Sequence, residues 1–436
     1  MYYRSLNGKS RKVNFETAVR NGLAKDGGLY FPEKIKPLDS NFIKNIGSYS
    51  NIEIGYKVIK QFIGDSINES DLKEILSKTI DFNFPVVKLE KNIYSLELFH
   101  GPTLAFKDVG ARFMANCLSY FNKNKSKLNT VLVATSGDTG AAVANGFYKV
   151  KGTNVVILYP KNKVSEIQER QLTTNKNNIT ALRVNGSFDD CQKIVKKAFV
   201  DKELNKKFNL TSANSINVAR WLPQSLYYFF AYKKLEKENL VFSVPSGNFG
   251  NICAGLIAEK LGLPIKHFIA STNINDTIPR YFESQIFNPK PTIQTVSNAM
   301  DVSSPSNFVR IQEMFQNFKN LSKIMSSYSF CDKETLKMVK NVYEDKNYVL
   351  DPHGAVGYLG LKKYLSGNPE KIGIFLETAH PVKFSKDVEE VIKIKLDIPE
   401  EINKILLKEK KYIDIDDYSD FKEEMFVLNF NQKKIL

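Results

Sequence analysis

Lys107 stands in the stretch "HGPTLAFKDVGARFMA", after Gly101-Pro102-Thr103-Leu104-Ala105-Phe106 and before a small-residue run that predicts the start of a buried helix. A lysine on a solvated face needs no such setting. In an apolar cradle, desolvation disfavours the ammonium and leaves the neutral amine, the form that attacks a carbonyl carbon to make a Schiff base. The first chemistry this sequence suggests is nucleophilic and carried by an amine.

Four further stretches could complete a site around that amine. In "SVPSGNFGNICAG", Gly247, Asn248, Phe249, Gly250 and Asn251 lead from a strand into an apolar helix. Converging N–H groups at a helix N-terminus can hold a phosphate. The dinucleotide pattern GxGxxG and the nucleotide pattern GxxxxGK[ST] are both absent from this loop, so the phosphate belongs to something other than an ordinary NAD or ATP. Alone, the loop reads equally as a tight turn without a ligand. In "ATSGDTGAAVANG", Ser136, Asp138 and Thr139 suit a carboxylate at a helix N-terminus. Alone, Ser136 or Asp138 reads as a helix cap. "SANSINVARW" offers Asn214, Ser215 and Arg220, an amide, a hydroxyl and a fixed cation fit for a phosphate or carboxylate. On spacing alone Arg220 reads as a surface ion-pair former. In "LETAHPVKF", Thr378 follows a buried strand, where a neutral hydroxyl can face a ring nitrogen, while His380 reads as a packed or capping side chain. Together these parts make a pyridoxal phosphate site. The cofactor would act as electron sink, and the protein would orient the substrate and move protons.

Loops of this kind need strands and helices to aim them. "NTVLVAT", "TNVVILYP", "ITALRVNG", "LVFSVP" and "KIGIFLE" each run into a loop and then a helix, with Ser187 or Asp189 as a cap for the third. This alternation predicts an open α/β architecture of parallel sheets flanked by helices, with ligands at the carboxyl ends of the strands. A chain of 436 residues should form two or three lobes. We expect an N-terminal mixed helical domain over 1–95, and a smaller α/β lobe over 96–208 carrying Lys107 and the SGDTG loop. A larger α/β lobe over 209–436 should carry the GNFGN loop and Thr378, with the active site between the lobes. The charged last 35 or so residues should be peripheral.

Composition excludes several other classes. The net charge of +15 is spread along the chain rather than gathered into a basic block interleaved with aromatics. That argues against nucleic acid and leaves a positive field favouring anionic small molecules. No run of roughly 18 apolar residues is present to span a membrane, and the first residues lack the apolar core of a secretory signal. Cys117, Cys191, Cys253 and Cys331 form no CxxC pair, so neither zinc nor a disulfide framework is indicated, and a cytoplasmic protein is expected.

The stretches "LELFHGPTLAFKDVGARFMA", "ATSGDTGAAVANGF", "SANSINVARW", "SVPSGNFGNICAG", "STNINDTIPRYFES", "SNAMDVSSPSNFVR", "DPHGAVGY" and "LETAHPVKF", in this order, resemble the threonine synthase family in its longer bacterial and fungal form. The resemblance runs from "DGGLYFPE" to "ETAHPVKF". It implies a fold type II pyridoxal phosphate enzyme, similar in architecture to the tryptophan synthase β subunit. It implies Lys107 as the Schiff-base lysine, Gly247, Asn248, Phe249, Gly250 and Asn251 as the cofactor-phosphate loop, and Thr378 as the hydroxyl facing the pyridine nitrogen. Ser136, Asp138 and Thr139 fall in the loop receiving the amino acid's carboxylate, and Asp138 stands where shorter relatives carry Asn beside the cofactor's phenolic oxygen. Asn214, Ser215 and Arg220 resemble the residues that hold the substrate's own phosphate. The implied reaction converts O-phospho-L-homoserine and water to L-threonine and phosphate, with Lys107 as base at Cα, in a monomer or homodimer. The alternatives are a phospho-lyase or a threonine/serine dehydratase giving a 2-oxo acid on the same scaffold, and a basic nucleic-acid-associated protein with a degenerate one.

Overall fold

The computed structural model describes residues 1–123, 128–175 and 177–428. Two parallel sheets organise them. The larger has spatial order Met325–Ser329, Ile265–Thr272, Leu240–Pro245, Ile372–Glu377, Ile93–Glu97, Val86–Glu90, parallel throughout except for the hairpin at its edge. The smaller has order Ile413–Ile415, Ile179–Val184, Thr153–Pro160, Asn129–Ala134, Asn209–Ser212, all parallel. Helices cover both faces, so the strands are buried on both sides and read as continuous apolar runs. Thr153–Pro160 and Leu240–Pro245 are buried at every position. A three-stranded antiparallel sheet of Tyr2–Ser5, Val13–Asn14 and Tyr30–Pro32 stands near the N-terminus.

The sheets do not follow the boundaries expected at 95 and 208. Ile93–Glu97 belongs to the larger sheet beside Ile372–Glu377, and Asn209–Ser212 completes the edge of the smaller. The charged C-terminal stretch is not peripheral either. Ile413–Ile415 adds the opposite edge strand of the smaller sheet, and the helix Tyr418–Val427 buries Phe421 and Met425 in the apolar cluster that contains Leu132, Leu158 and Cys191. Apolar side chains spaced among lysines and aspartates supply one buried face, which burial requires and net composition conceals. Ser187 caps the helix Phe188–Val200, with Asp190 returning the bond to form a capping box. All four cysteines are free, and Cys331 alone is half-buried. No helix among the described residues is long and apolar enough to cross a membrane.

The small residues after Lys107 have a packing cause. The helix Lys107–Asn122 crosses the segment Val218–Trp221 so closely that a Cβ on Gly110 would collide with the Arg220 backbone carbonyl. Gly146 allows the helix Asp138–Gly146 a similar approach, since a Cβ there would lie 3.2 Å from the Ala111 carbonyl carbon. Gly110 thus sets how near Lys107 and Arg220 can come. Gly110→Ala should lower the denaturant midpoint. Overpacking against rigid backbone costs about 1–3 kcal/mol and outweighs the roughly 1 kcal/mol gained in helix propensity. A midpoint equal to or above the parent's would contradict this packing.

Candidate active site

The carboxyl ends of Asn129–Ala134, Leu240–Pro245 and Ile372–Glu377 open onto one cavity of about 480 Å³. Every site residue singled out above lines it: Lys107, Ser136, Asp138, Thr139, Asn214, Ser215, Arg220, Gly247 to Asn251, and Thr378.

Lys107 is the first residue of its helix, and its side chain is 14 % exposed. The residues before it form a short antiparallel clasp with the end of Ile372–Glu377. Phe106 N–H donates to the Thr378 carbonyl at 2.9 Å, His380 N–H donates to the Leu104 carbonyl at 3.0 Å, and Ala105 bridges Ala379. Tyr227 holds the Phe106 carbonyl from the other side. Amine and threonine are therefore fixed to one another by main chain. Burial drives the Lys107 amine to a lower affinity for protons than an ordinary lysine; nearby Asp138 opposes this, and Lys383 and Arg220 add to it. A place at a helix N-terminus, where the helix dipole disfavours a cation, acts in the same direction.

Asp138 begins the helix after Gly137 and is 3 % exposed. Gly137 has φ +135°, and a Cβ there would strike the Gln168 amide, which itself donates to Asp138 Oδ1 at 3.0 Å. Asp138 Oδ2 lies 3.7 Å from Lys107 Nζ, and Oδ1 lies 2.7 Å from Lys383 Nζ, a fully buried lysine. Burial alone would raise the Asp138 carboxyl, but Lys383 and Lys107 together hold it far below the usual carboxylate range. Thr135 Oγ1 accepts from Gly137 N–H at 2.9 Å and Gly140 N–H at 2.8 Å, closing this loop. The hydroxyls of Ser136 and Thr139 make no hydrogen bond among the described residues, so they face the cavity uncommitted.

The glycine loop has a left-handed residue at Phe249, φ +59°, which turns the chain into the helix Gly250–Lys260. A Cβ on Gly247 would lie 2.6 Å from Met300 Cα, so a side chain there would displace that backbone. Asn248 ties the loop down: Nδ2 donates to Ser215 Oγ at 2.7 Å, while Oδ1 accepts from Ser306 N–H at 2.7 Å. Asn307 Nδ2 bonds both Ser215 Oγ and the Asn248 carbonyl at 2.9 Å. Fully buried Arg310 donates to the carbonyls of Ser215, at 2.9 Å, and Ile216, at 2.5 Å. Asn251 Oδ1 accepts from Tyr228 at 2.6 Å, and its Nδ2 is buried without a partner.

Arg220 is no surface ion-pair former. It is 3 % exposed, its guanidinium donates to the Ala213 carbonyl, and its Nε is buried with no partner. Burial lowers it to about 10, which leaves it cationic at neutral pH. The amide of Asn214 is already used, bonded to the Ala134 carbonyl at 2.8 Å and to its N–H at 3.3 Å, and so it ties together the ends of two strands. His380 caps the short helix Pro381–Phe384 by accepting from Val382 N–H and packs on Phe99. Burial lowers it to about 4, and it lies outside the cavity lining.

Residues that the sequence reading left without a role also serve this site. His353 lines the cavity; it accepts from Ala299 N–H at Nε2, 3.2 Å away, so its proton stays on Nδ1, 2.6 Å from Asp351 Oδ1. Glu377, immediately before Thr378, is buried beside Asp351. Burial and that neighbouring carboxylate raise it well above the usual range, and a Cβ on Gly354 would overlap it. Lys383, Gln168, Asn307 and Arg310 complete the supporting set. No cluster among the described residues is arranged to hold a metal ion.

Comparison with known proteins gives this arrangement its context. A family model described as pyridoxal-phosphate dependent enzyme matches residues 82–376, one described as threonine synthase N terminus matches 2–80, and one described as threonine synthase, C-terminal, matches 354–424. The threonine synthase of Buchnera aphidicola subsp. Baizongia pistaciae is 47 % identical over 402 residues, covering 91 % of this chain and 93 % of that protein. The crystal structure of threonine synthase from Escherichia coli superposes with a TM-score of 0.93 at 41 % identity, covering 98 % of this chain and all of that one. The structure of PLP-bound threonine synthase from Brucella melitensis superposes with a TM-score of 0.91 at 32 % identity, covering 98 % of each chain. The chain belongs to the threonine synthase family of pyridoxal-phosphate dependent enzymes, with the fold type II architecture.

Proposed function

We propose that this chain converts O-phospho-L-homoserine and water to L-threonine and phosphate, the last step of threonine biosynthesis, using pyridoxal phosphate. The residues present fit the cofactor. Lys107 would hold its aldehyde carbon. The N–H groups of Gly247 to Asn251, with the unpartnered Asn251 Nδ2, would hold its phosphate at a helix N-terminus. The Thr378 hydroxyl would face its ring nitrogen. When bound, the cofactor supplies an electron sink conjugated to the substrate's Cα.

The chain's own groups supply the rest. Ser136 and Thr139, with free hydroxyls at the start of Asp138–Gly146, would bind the substrate's carboxylate. The Lys107 amine, kept low in proton affinity by burial, would take the proton from Cα and return protons to neighbouring carbons. Arg220 would bind the substrate's phosphate and stabilise it as it leaves Cγ, with Ser215, whose hydroxyl oxygen accepts from Asn248 and Asn307, lining the same pocket. Asn214 would act by fixing the floor of that pocket, since its amide is bonded to Ala134. Water would add at Cβ within the same cavity. The observation that carries the reading is the buried Arg220 guanidinium, which has no carboxylate partner among the described residues, in the lining of the same cavity as the glycine loop. It provides a second anion site where a phosphate-bearing amino acid needs one. The four free thiols suit a reducing compartment, and we place the enzyme in the cytoplasm.

Three outcomes are expected. Incubation with O-phospho-L-homoserine should release threonine and phosphate in equal amounts; 2-oxobutyrate without threonine would point instead to a phospho-lyase or dehydratase. Lys107→Ala should be colourless after dialysis, and a retained chromophore would remove Lys107 from its assigned place. Arg220→Gln should keep the cofactor's absorbance but lose about 30-fold or more in kcat/KM for the phosphate ester, the scale of a buried charged contact. An unchanged kcat/KM would contradict the phosphate assignment.

A further inference from the structure

Lys383 is the second lysine at this site. It stands in the short helix Pro381–Phe384, with its side chain 0 % exposed. Its Nζ lies 2.7 Å from Asp138 Oδ1 and donates to the Thr103 carbonyl at 2.9 Å. Gln168 Nε2 reaches the same carboxylate oxygen at 3.0 Å. The other oxygen, Oδ2, lies 3.7 Å from Lys107 Nζ. One buried carboxylate therefore stands between two lysines, and its short contact goes to the lysine behind the cavity wall.

The charged groups around Lys107 are few. Asp138 faces it from Asp138–Gly146, Lys383 from Pro381–Phe384, and Arg220 from Val218–Trp221. Asp108, next on its own helix, is engaged by Thr103, which donates its N–H at 2.9 Å and its hydroxyl at 2.5 Å. In so dry a setting a carboxylate at full contact with a lone lysine holds a proton on it strongly, because Coulomb attraction is little screened. Such an ammonium has no lone pair to offer. We propose that Lys383 is a positioning residue: it takes the short contact with Asp138, leaves Lys107 only the longer one, and so weakens the hold of that carboxylate on a Lys107 proton and favours the amine that bonds the cofactor's aldehyde carbon. In that step the amine lone pair forms the C–N bond, and the carbonyl oxygen leaves as water carrying the amine's two protons. The proposal rests on the reading that Lys107 is the attachment point.

A test follows the rate of colour development when pyridoxal phosphate is added to the stripped full-length chain, across pH. In Lys383→Met, Asp138 keeps the Gln168 amide and has Lys107 as its remaining charged partner, so uptake near neutral pH should slow about tenfold for each unit that the midpoint moves upward and should recover at higher pH. Lys383→Arg keeps the charge and should keep the parent midpoint. A parent midpoint in Lys383→Met, or the same upward move in Lys383→Arg, would overturn the proposal. Should Lys383→Met fail to fold, Asp138→Asn carries the test: with the carboxylate gone and Lys383 still charged, its midpoint should fall below the parent's, and an unchanged one would also overturn the proposal. Lys107→Ala run alongside separates the two claims. If it gains colour like the parent, the attachment reading has failed and the proposal with it. If it stays colourless, the Lys383 variants judge the proposal alone.

Discussion

Three residues on each side form the clasp that the site depends on: Leu104, Ala105 and Phe106 lie antiparallel to Thr378, Ala379 and His380. The amine and the threonine come from distant parts of the chain, and neither could aim at a common ligand if it hung on a loose loop. Main-chain bonds across the clasp make their separation a property of backbone geometry rather than of rotamers. Leu104 adopts a left-handed conformation, φ 56°, to enter it. Strain at such positions persists only where the surrounding structure imposes it. Here Lys383 and Gln171 both bond the Thr103 carbonyl just upstream.

Around the clasp the electrostatics are biased in one direction. Lys107, Lys383 and Arg220 stand around the Asp138 carboxylate, which Lys383 and Lys107 hold far below the usual range, while burial raises Asp108 to about 6. Dry walls make each of these charges act strongly on the others. The result suits a cavity that must attract anions while making one amine less basic than an ordinary lysine. Those two demands are met by dividing the cations: Lys383 takes the short contact with Asp138, Arg220 has no carboxylate partner among the described residues, and burial lowers the proton affinity of Lys107.

Contiguous features were readable from the chain. Lys107 stood out because an apolar turn and a small-residue helix surround it, and the Gly247–Asn251 and Ser136–Thr139 loops because glycine and hydroxyl residues cluster between strand and helix patterns. The parallel sheets were legible in continuous apolar runs such as "TNVVILYP". What escaped depends on contacts between segments far apart in sequence. No local pattern marks Lys383, which the segment Pro381–Phe384 folds onto Asp138. Arg310 and Asn307 support the glycine loop through carbonyls and amides that no local pattern marks. Asn209–Ser212 is four residues of mixed polarity, too short to announce a sheet edge. The apolar side chains Ile413, Ile415, Phe421 and Met425 were masked by the charges between them.

Location of the covalent bond tests the centre of this picture most directly. Borohydride reduction of the holoenzyme, followed by proteolysis and mass spectrometry of the peptides, reports which nitrogen carries the reduced cofactor. The clasp and the buried, weakly basic amine predict the adduct on the peptide containing Lys107 and nowhere else. An adduct on Lys383 or on any other lysine, or a protein that takes up no label, would contradict it.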